Sequence, residues 1–210
     1  MFTYVVRVWV PDRPGALGQV ASRIGAVRGD VVGIEILERG AGMAIDELVV
    51  TMPDGDLVDL LVAEIGQVDG TAVEEIRAVA PDRPDTSIVA LQSAAQLIEV
   101  HPDKRLDRFC HELVELMEGT WSAALDLDAA RSLVEVGDPP EAVWLAAFIE
   151  GSRHLDPHAR EAQAPPDVAW AHLPRHGIAV AVGRAGWAFR ARERQQMDLL
   201  GQIADGLLPD

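Results

Sequence analysis

Residues 2–17, FTYVVRVWVPDRPGAL, decide the fold of the first part of the chain. The opening nine residues are rich in β-branched and aromatic side chains, which predicts a mostly buried strand over 2–10. The PDRPG segment that follows stops this strand, because proline supplies no amide to a sheet ladder. From Ala16 the apolar residues take helical spacing, so we expect a helix that ends near Gly29.

The residues after this helix extend the pattern. Two strand-like runs, 29–40 and 43–52, flank a Gly-Ala-Gly turn and predict a hairpin with one wet face and one covered face. Apolar spacing from Leu57 to Ile65 predicts a second amphipathic helix, and 71–79 predicts a last strand. The order βαββαβ is typical of the ferredoxin-like fold, in which four antiparallel strands carry two helices on one face.

The tetrapeptide Pro-Asp-Arg-Pro occurs at 11–14 and again at 81–84. The second copy leads into a helical pattern instead of Gly-Ala-Leu, so we interpret 81–86 as a linker and not as the start of a tandem repeat. Two α+β domains are therefore predicted, 1–80 and 87–210. In the second we expect helices over 87–99, 103–118, 141–155 and 190–208, strands over 121–128, 131–137 and within 176–189, and an irregular loop over 156–167.

Composition limits the classes of function. The 210 residues include 18 Lys and Arg against 34 Asp and Glu, a net charge of −16, which does not suit a nucleic-acid surface. No run approaches the roughly 18 apolar residues of a membrane span, and no secretory pattern opens the chain. We therefore expect a cytoplasmic protein without nucleic-acid or membrane partners. The single cysteine, Cys110, excludes a disulfide framework.

The loop between the first strand and the first helix carries the candidate binding chemistry. The first amides of a helix lack partners and favour a small carboxylate, and Gly15 lets a ligand approach the backbone closely. Asp12 is placed to accept hydrogen bonds from a ligand ammonium. The alternative is that Asp12 caps the helix and Gly15 only makes the turn. A ligand carboxylate would bind here against the negative field of the whole chain, through local amides.

A strand that ends in Asp12-Arg-Pro-Gly-x-Leu17 and opens a βαββαβ unit resembles the ACT domain, a small regulatory module that binds amino acids. The resemblance covers about residues 2–80. It implies a ligand site between the loop of one copy and the second strand of a neighbouring copy, and hence a homodimer through this domain. The loop side would consist of Asp12, Pro14, Gly15, Ala16 and Leu17, and the strand side of Val31, Val32, Gly33 and Ile34.

The second domain resembles a GAF-like sensor domain. The resemblance rests on two opening helices, the run AALDLD at 123–128, the run IAVAVGR at 178–184 and the closing helix. It implies a central sheet with the terminal helices behind it. The sequence shows no bilin-attaching cysteine and no cyclic-nucleotide signature, so a degenerate α+β domain without a ligand is the alternative.

Other residues offer less chemistry. The pairs His154/His158 and His172/His176 have helical i, i+4 spacing, but a proline interrupts each, so only a meeting of two loops would make a zinc site. Cys110 adjoins a histidine on a helix, where adjacent side chains diverge and form no nucleophile–base pair. We expect a non-catalytic, amino-acid-binding regulatory protein without a cofactor. The alternatives are a ligand-free interaction or dimerisation protein that regulates a partner, and a metal-dependent enzyme built on the loop histidines.

Overall fold

The structure is a computed structural model that describes residues 1–153, 165 and 167–209. The chain divides into two compact units, Met1–Arg83 and Pro84–Asp210. Each unit contains a four-stranded antiparallel sheet together with helices, so the fold is α+β as predicted. Across the described ranges, no helix is both long enough and apolar enough to cross a bilayer.

The first unit has the predicted βαββαβ order. Its elements are β1 (Phe2–Pro11), α1 (Ala16–Ala26), β2 (Asp30–Gly40), β3 (Met43–Met52), a 3-10 helix (Gly55–Leu57), α2 (Val58–Ile65) and β4 (Ala72–Val79). The strand order is β2-β3-β1-β4, and all three pairings are antiparallel. This arrangement confirms the ferredoxin-like topology.

Helix α1 ends three residues before the expected Gly29. Arg28 has a φ of 63°, in the left-handed region, and its amide bonds the carbonyl oxygen of Gly25. The Gly29 amide then reaches back to the carbonyl oxygen of Ile24 at 3.0 Å. These two bonds satisfy the last helical carbonyls and turn the chain into β2, so the glycine lies outside the helix that it helps to end.

The core of the first unit lies between the sheet and its two helices. Val6, Val8 and Val10 alternate along β1 and pack against Val20 of α1 and Leu61 of α2. The opposite face of β1 is largely buried as well, as the β-branched and aromatic residues of this segment predict.

A buried ion-pair network lies on the face of the sheet away from the helices. Arg7 of β1 and Glu47 of β3 stand opposite each other, and Arg7 Nε lies 2.7 Å from Glu47 Oε2. Arg83 and Arg77 reach the same carboxylate at 3.2 and 4.0 Å. Burial by itself raises the pKa of Glu47, but the charge and hydrogen bond of Arg7, with the charges of Arg77 and Arg83, outweigh it and lower that pKa.

The β2–β3 hairpin turns through two residues, Ala41 and Gly42, with φ of 50° and 78°. Two positive φ values in a two-residue loop match the twist of the flanking strands. The expected wet and covered faces hold for β2, which is the edge strand, but not for β3, which is covered on both faces. β3 lies between β2 and β1, and the local alternation of the hairpin did not show this position.

The second unit has four helices and four strands in its described part. Its elements are α3 (Thr86–Glu99), a 3-10 helix (Pro102–Lys104), α4 (Arg105–Leu116), β5 (Trp121–Asp126), β6 (Arg131–Val136), α5 (Ala142–Arg153), β7 (Val168–Leu173), β8 (Ile178–Gly183) and α6 (Ala191–Leu207). The sheet order is β6-β5-β8-β7. Apart from Pro165 and Asp167, the predicted loop over 156–167 lies outside the described residues.

Helices cover both faces of the second sheet. Val180 and Val182 of β8 pack with Phe109 of α4, Leu97 of α3 and Met197 of α6 on one face. The intervening alanines of β8 pack with Leu145 and Ile149 of α5 on the other. The opening and closing helices, α3 and α6, therefore lie with α4 behind the sheet.

Strand β7 was missed by the sequence analysis. Its sequence, VAWAHL, contains two alanines, which favour strands weakly. A Cβ placed on Gly201 of α6 would lie only 2.6 Å from the Cβ of Ala171. Because α6 approaches β7 this closely, a small residue is required on the strand, and this requirement comes from tertiary packing.

Candidate functional site

The predicted binding loop is tied to the β2–β3 turn. The Asp12 amide bonds the carbonyl oxygen of Gly42 at 2.9 Å, and the Arg13 amide bonds that of Pro11 at 2.8 Å. The loop therefore lies at the end of the sheet where the hairpin turns, with its backbone fixed at two points. A fixed backbone presents its remaining amides in a constant direction, which is what a small anionic group needs.

Gly15 is the N-cap of α1, with a φ of 86°. No side chain of the described loop caps the helix, so the alternative in which Asp12 is the cap is wrong. The Ala16 amide is occupied by the carbonyl oxygen of Arg13 at 3.2 Å, and the Ala16 side chain is buried in the core. The amides of Gly15 and Leu17 have no acceptor among the described residues, which leaves two donors for a ligand, not three.

The Asp12 carboxylate is exposed and belongs to the same loop, three residues before Gly15. Within the described part of the chain it makes neither a hydrogen bond nor an ion pair. An unpaired carboxylate next to two unpaired amides offers both halves of the polar complement of a zwitterion, an acceptor for the ammonium and donors for the carboxylate.

Asp46 is a second carboxylate in this region, and the sequence analysis did not select it. It stands opposite Val8 in the β1–β3 register, and Val8 belongs to the core under the helices, so Asp46 faces the α1 side. Its side chain is 3% exposed, and Oδ1 has no hydrogen-bond partner among the described residues. Burial raises the pKa of Asp46, the charge of Arg39 lowers it, and the charge of Asp12 raises it.

The signal that would have found Asp46 is the sequence MAIDELVV itself. An acidic pair within an apolar run is unusual in a strand covered on both faces, because buried charge is costly without a partner. The sequence analysis predicts a half-solvated hairpin and assigns no role to this pair. Only the strand order placed both carboxylates inside.

The predicted strand-side residues lie on the edge strand β2, away from the loop of the same chain. Val31 pairs with Val50 and Ile34 with Leu48, whereas the loop bonds Gly42. Six to eight strand positions therefore separate the two groups, roughly 20–27 Å at 3.3–3.4 Å per residue. Within one copy, the structure does not bring Val31, Val32, Gly33 and Ile34 together with Asp12, Pro14, Gly15, Ala16 and Leu17.

The described part of each unit contains a cavity of a size that a small ligand could enter. One, of about 300 Å³, opens beside α1 and is polar, with Arg13, Arg23 and Asp69 in its wall. The other, of about 460 Å³, lies between α3 and α6, and its charged wall residue is Arg192. Because no carboxylate lines the second cavity among the described residues, it lacks the acceptor that an ammonium needs.

The residues considered for metal or nucleophilic chemistry are dispersed. His172 lies on β7 and His176 in the turn after it, where its Nε2 lies 3.3 Å from the carbonyl oxygen of Asp205. His154 and His158 lie outside the described residues, and the remainder contains no cluster of three His, Cys, Asp or Glu suited to a metal. Burial raises the pKa of Cys110 to about 12, so its thiol stays protonated at neutral pH.

No family model matches this chain, and no curated protein matches it. Similar solved structures include an uncharacterized protein from Thermotoga maritima, 25% identical, covering 37% of this chain and 96% of that one, with a TM-score of 0.30. The ACT domain of a GTP pyrophosphokinase from Chlorobium tepidum is 17% identical, covering 37% and 97%, with a TM-score of 0.30. An ACT domain protein from Streptococcus pneumoniae is 16% identical, covering 40% and 97%, with a TM-score of 0.31. The ACT matches cover the N-terminal part of the chain, so the GAF-like nature of the second unit stays a prediction.

Proposed function

We propose that this chain is a non-catalytic regulatory protein that binds an amino acid or a related small metabolite at the loop between β1 and α1. The observation that carries the proposal is the pairing of two unoccupied amides, at Gly15 and Leu17, with the unpaired carboxylate of Asp12. The amides would hold the ligand carboxylate, and Asp12 would accept from its ammonium.

A second copy of the chain completes the site in this proposal. β2 is an edge strand, and its exposed side chains include the apolar Val32, Ile34 and Ile36, a combination that favours pairing with another strand. If two β2 edges pair antiparallel across a two-fold axis, the start of one β2 lies beside the end of the other. The Val31–Ile34 segment of one copy would then approach the loop and hairpin turn of its partner, which a single copy keeps apart from it.

Thermal unfolding of the full chain in the presence of each of the twenty amino acids tests this function. A ligand at 100 times its Kd stabilises the folded state by about 2.7 kcal/mol, so at least one amino acid should raise Tm. The isosteric variant Asp12→Asn should reduce that shift, because a neutral amide accepts more weakly from an ammonium than a carboxylate does. Asp54→Asn, an exposed aspartate before the first 3-10 helix, is the matched control and should leave the shift unchanged.

The absence of any shift from all twenty amino acids would contradict the proposal. It would favour the alternative of a ligand-free protein that regulates a partner by contact.

A further inference from the structure

Asp46 has a property that the proposed function does not use. It is a nearly fully buried carboxylate whose Oδ1 lacks a partner among the described residues. Buried polar groups are almost always hydrogen-bonded, and an exception calls for a physical explanation. The adjacent carboxylate in the sequence, Glu47, is buried to the same degree but has three arginines around it. The lack of a partner therefore distinguishes Asp46 from the carboxylate next to it in the chain.

Asp46 lies at an irregularity of the edge strand. The β2–β3 register shifts between Ile36, which stands opposite Asp46, and Glu38, which stands opposite Ile45. Ile36 is partly exposed, and β2 has no neighbour on its outer side within the described sheet. Bulges of this kind redirect side chains and are frequent next to binding sites. The register shift therefore places Asp46 beside an open strand edge, on the face of the sheet that carries the helices.

The charges around Asp46 are unequal. Asp12 and Arg39 are the charged neighbours that affect its ionisation, so two carboxylates face one guanidinium. The other nearby arginine, Arg13, directs its guanidinium to Gln19 at 3.3 Å. A ligand that brings only a balanced zwitterion occupies Asp12 and the amides and leaves Asp46 unpaired. A ligand with one further positive charge satisfies both carboxylates.

We propose that the loop site is selective for a basic amino acid, with Asp46 accepting the cationic side chain while Asp12 accepts the α-ammonium. This inference rests on the proposed function, whose ligand class it narrows. It also removes the conflict between a carboxylate ligand and the net charge of −16, because a basic amino acid is a net cation and is attracted by that field. A divalent cation at the same carboxylates is less suited, since the described residues supply no third carboxylate, histidine or cysteine.

Isothermal titration of the full chain with L-lysine and L-norleucine tests the inference, because the two side chains share a four-carbon stem and only lysine adds an ε-ammonium to it. We expect lysine to bind at least about tenfold more tightly, a difference of about 1.4 kcal/mol. Asp46→Asn should remove this preference and leave the norleucine affinity unchanged. Asp59→Asn removes the same charge from an exposed position on α2, outside the proposed site, and should preserve the preference.

Because a substitution of the buried Asp46 could also affect folding, a second variant changes an exposed residue near it. Arg39 is exposed, and Arg39→Gln should tighten lysine binding, because it removes the one cation that competes for Asp46. Equal affinities for lysine and norleucine would overturn the inference and leave the proposed function intact. Failure of every amino acid to bind would overturn both. Stabilisation by calcium chloride alone, abolished by Asp46→Asn, would identify a metal site and also overturn the inference.

Discussion

Asp46 and Glu47 are neighbours on β3 whose carboxylates meet opposite environments. Successive strand residues point to opposite faces, so Glu47 meets Arg7, Arg77 and Arg83 while Asp46 points under α1. The pKa of Glu47 is lowered by these cations in spite of burial, and the pKa of Asp46 is raised by burial. Glu47 is thus a structural carboxylate, whereas the adjacent Asp46 is a candidate for binding a ligand.

Glu47→Gln should destabilise the first unit by about 3–5 kcal/mol, because it removes the carboxylate that lies 2.7 Å from the buried Arg7 guanidinium. Glu64→Gln is the matched control, since the Arg23–Glu64 pair is partly exposed, and it should cost no more than about 1 kcal/mol. Denaturant unfolding of both variants measures the difference, and equal losses would contradict the role assigned to Glu47.

The contribution of Glu47 to stability should decrease as the pH falls. The pKa of Glu47 is lower in the folded state than its ordinary value of 4.5, so its contribution is fully present above pH 4.5. It is lost as the pH falls from there through the folded pKa. The stability difference between the wild-type chain and Glu47→Gln should therefore shrink with acidification in that window, as followed by unfolding free energies at stepped pH. A difference that grows on acidification would rule out this assignment.

At the scale of an element, the start of α1 depends on one backbone conformation. Gly15 caps the helix at a φ of 86°, with no heavy atom within 4 Å of an added Cβ. Space is therefore available there, and the cost of a side chain would come from the backbone alone. Gly18, one turn into the same helix, also has free space for a Cβ but lacks the positive φ.

Substitution by alanine should change the free energy of unfolding in opposite directions at Gly15 and Gly18. Gly15→Ala should destabilise the chain by about 1–2 kcal/mol, the cost of a left-handed conformation for an L-residue. Gly18→Ala should stabilise it by about 0.5–1 kcal/mol, because alanine favours a helix interior over glycine. Unfolding free energies measured side by side provide the check. A neutral Gly15→Ala would show that the cap conformation is not required for folding.

At the scale of the whole molecule, the proposed site needs a second copy of the chain. The loop and the Val31–Ile34 segment lie near opposite ends of β2 in one chain, and an antiparallel pairing of two edges is the arrangement that brings such ends together. The edge carries exposed apolar side chains, which a strand partner would cover.

Sedimentation velocity should show a dimer for the wild-type chain. Ile34→Lys should weaken it by roughly tenfold or more, because a charge would replace apolar contact area at the paired edge. Leu60→Lys on α2 is the matched control, since Ile34 and Leu60 are 49% and 47% exposed, and it should leave the dimer intact. A wild-type monomer at all accessible concentrations would contradict this assembly.

Much of the first unit was predictable from local patterns. The apolar run of β1, the PDRPG stop and the helical spacing from Ala16 gave the element order, and that order defined the ferredoxin-like topology. The loop with Asp12 and Gly15 was also found this way. Strand β7 was not, because its alanines are set by the close approach of Gly201 to Ala171, a contact between elements distant in sequence.

In the first unit, the sequence by itself determined the order of strands and helices and which loop offers amides and a carboxylate, because periodicity and turn residues act over a few neighbours. Only the tertiary structure decided that Gly15 and not Asp12 caps α1, that Asp46 lies buried beneath that helix, and that Val31–Ile34 lie far from the loop of their own chain. The last two depend on strand order and register, which follow from long-range pairing. No local window of sequence contains that information.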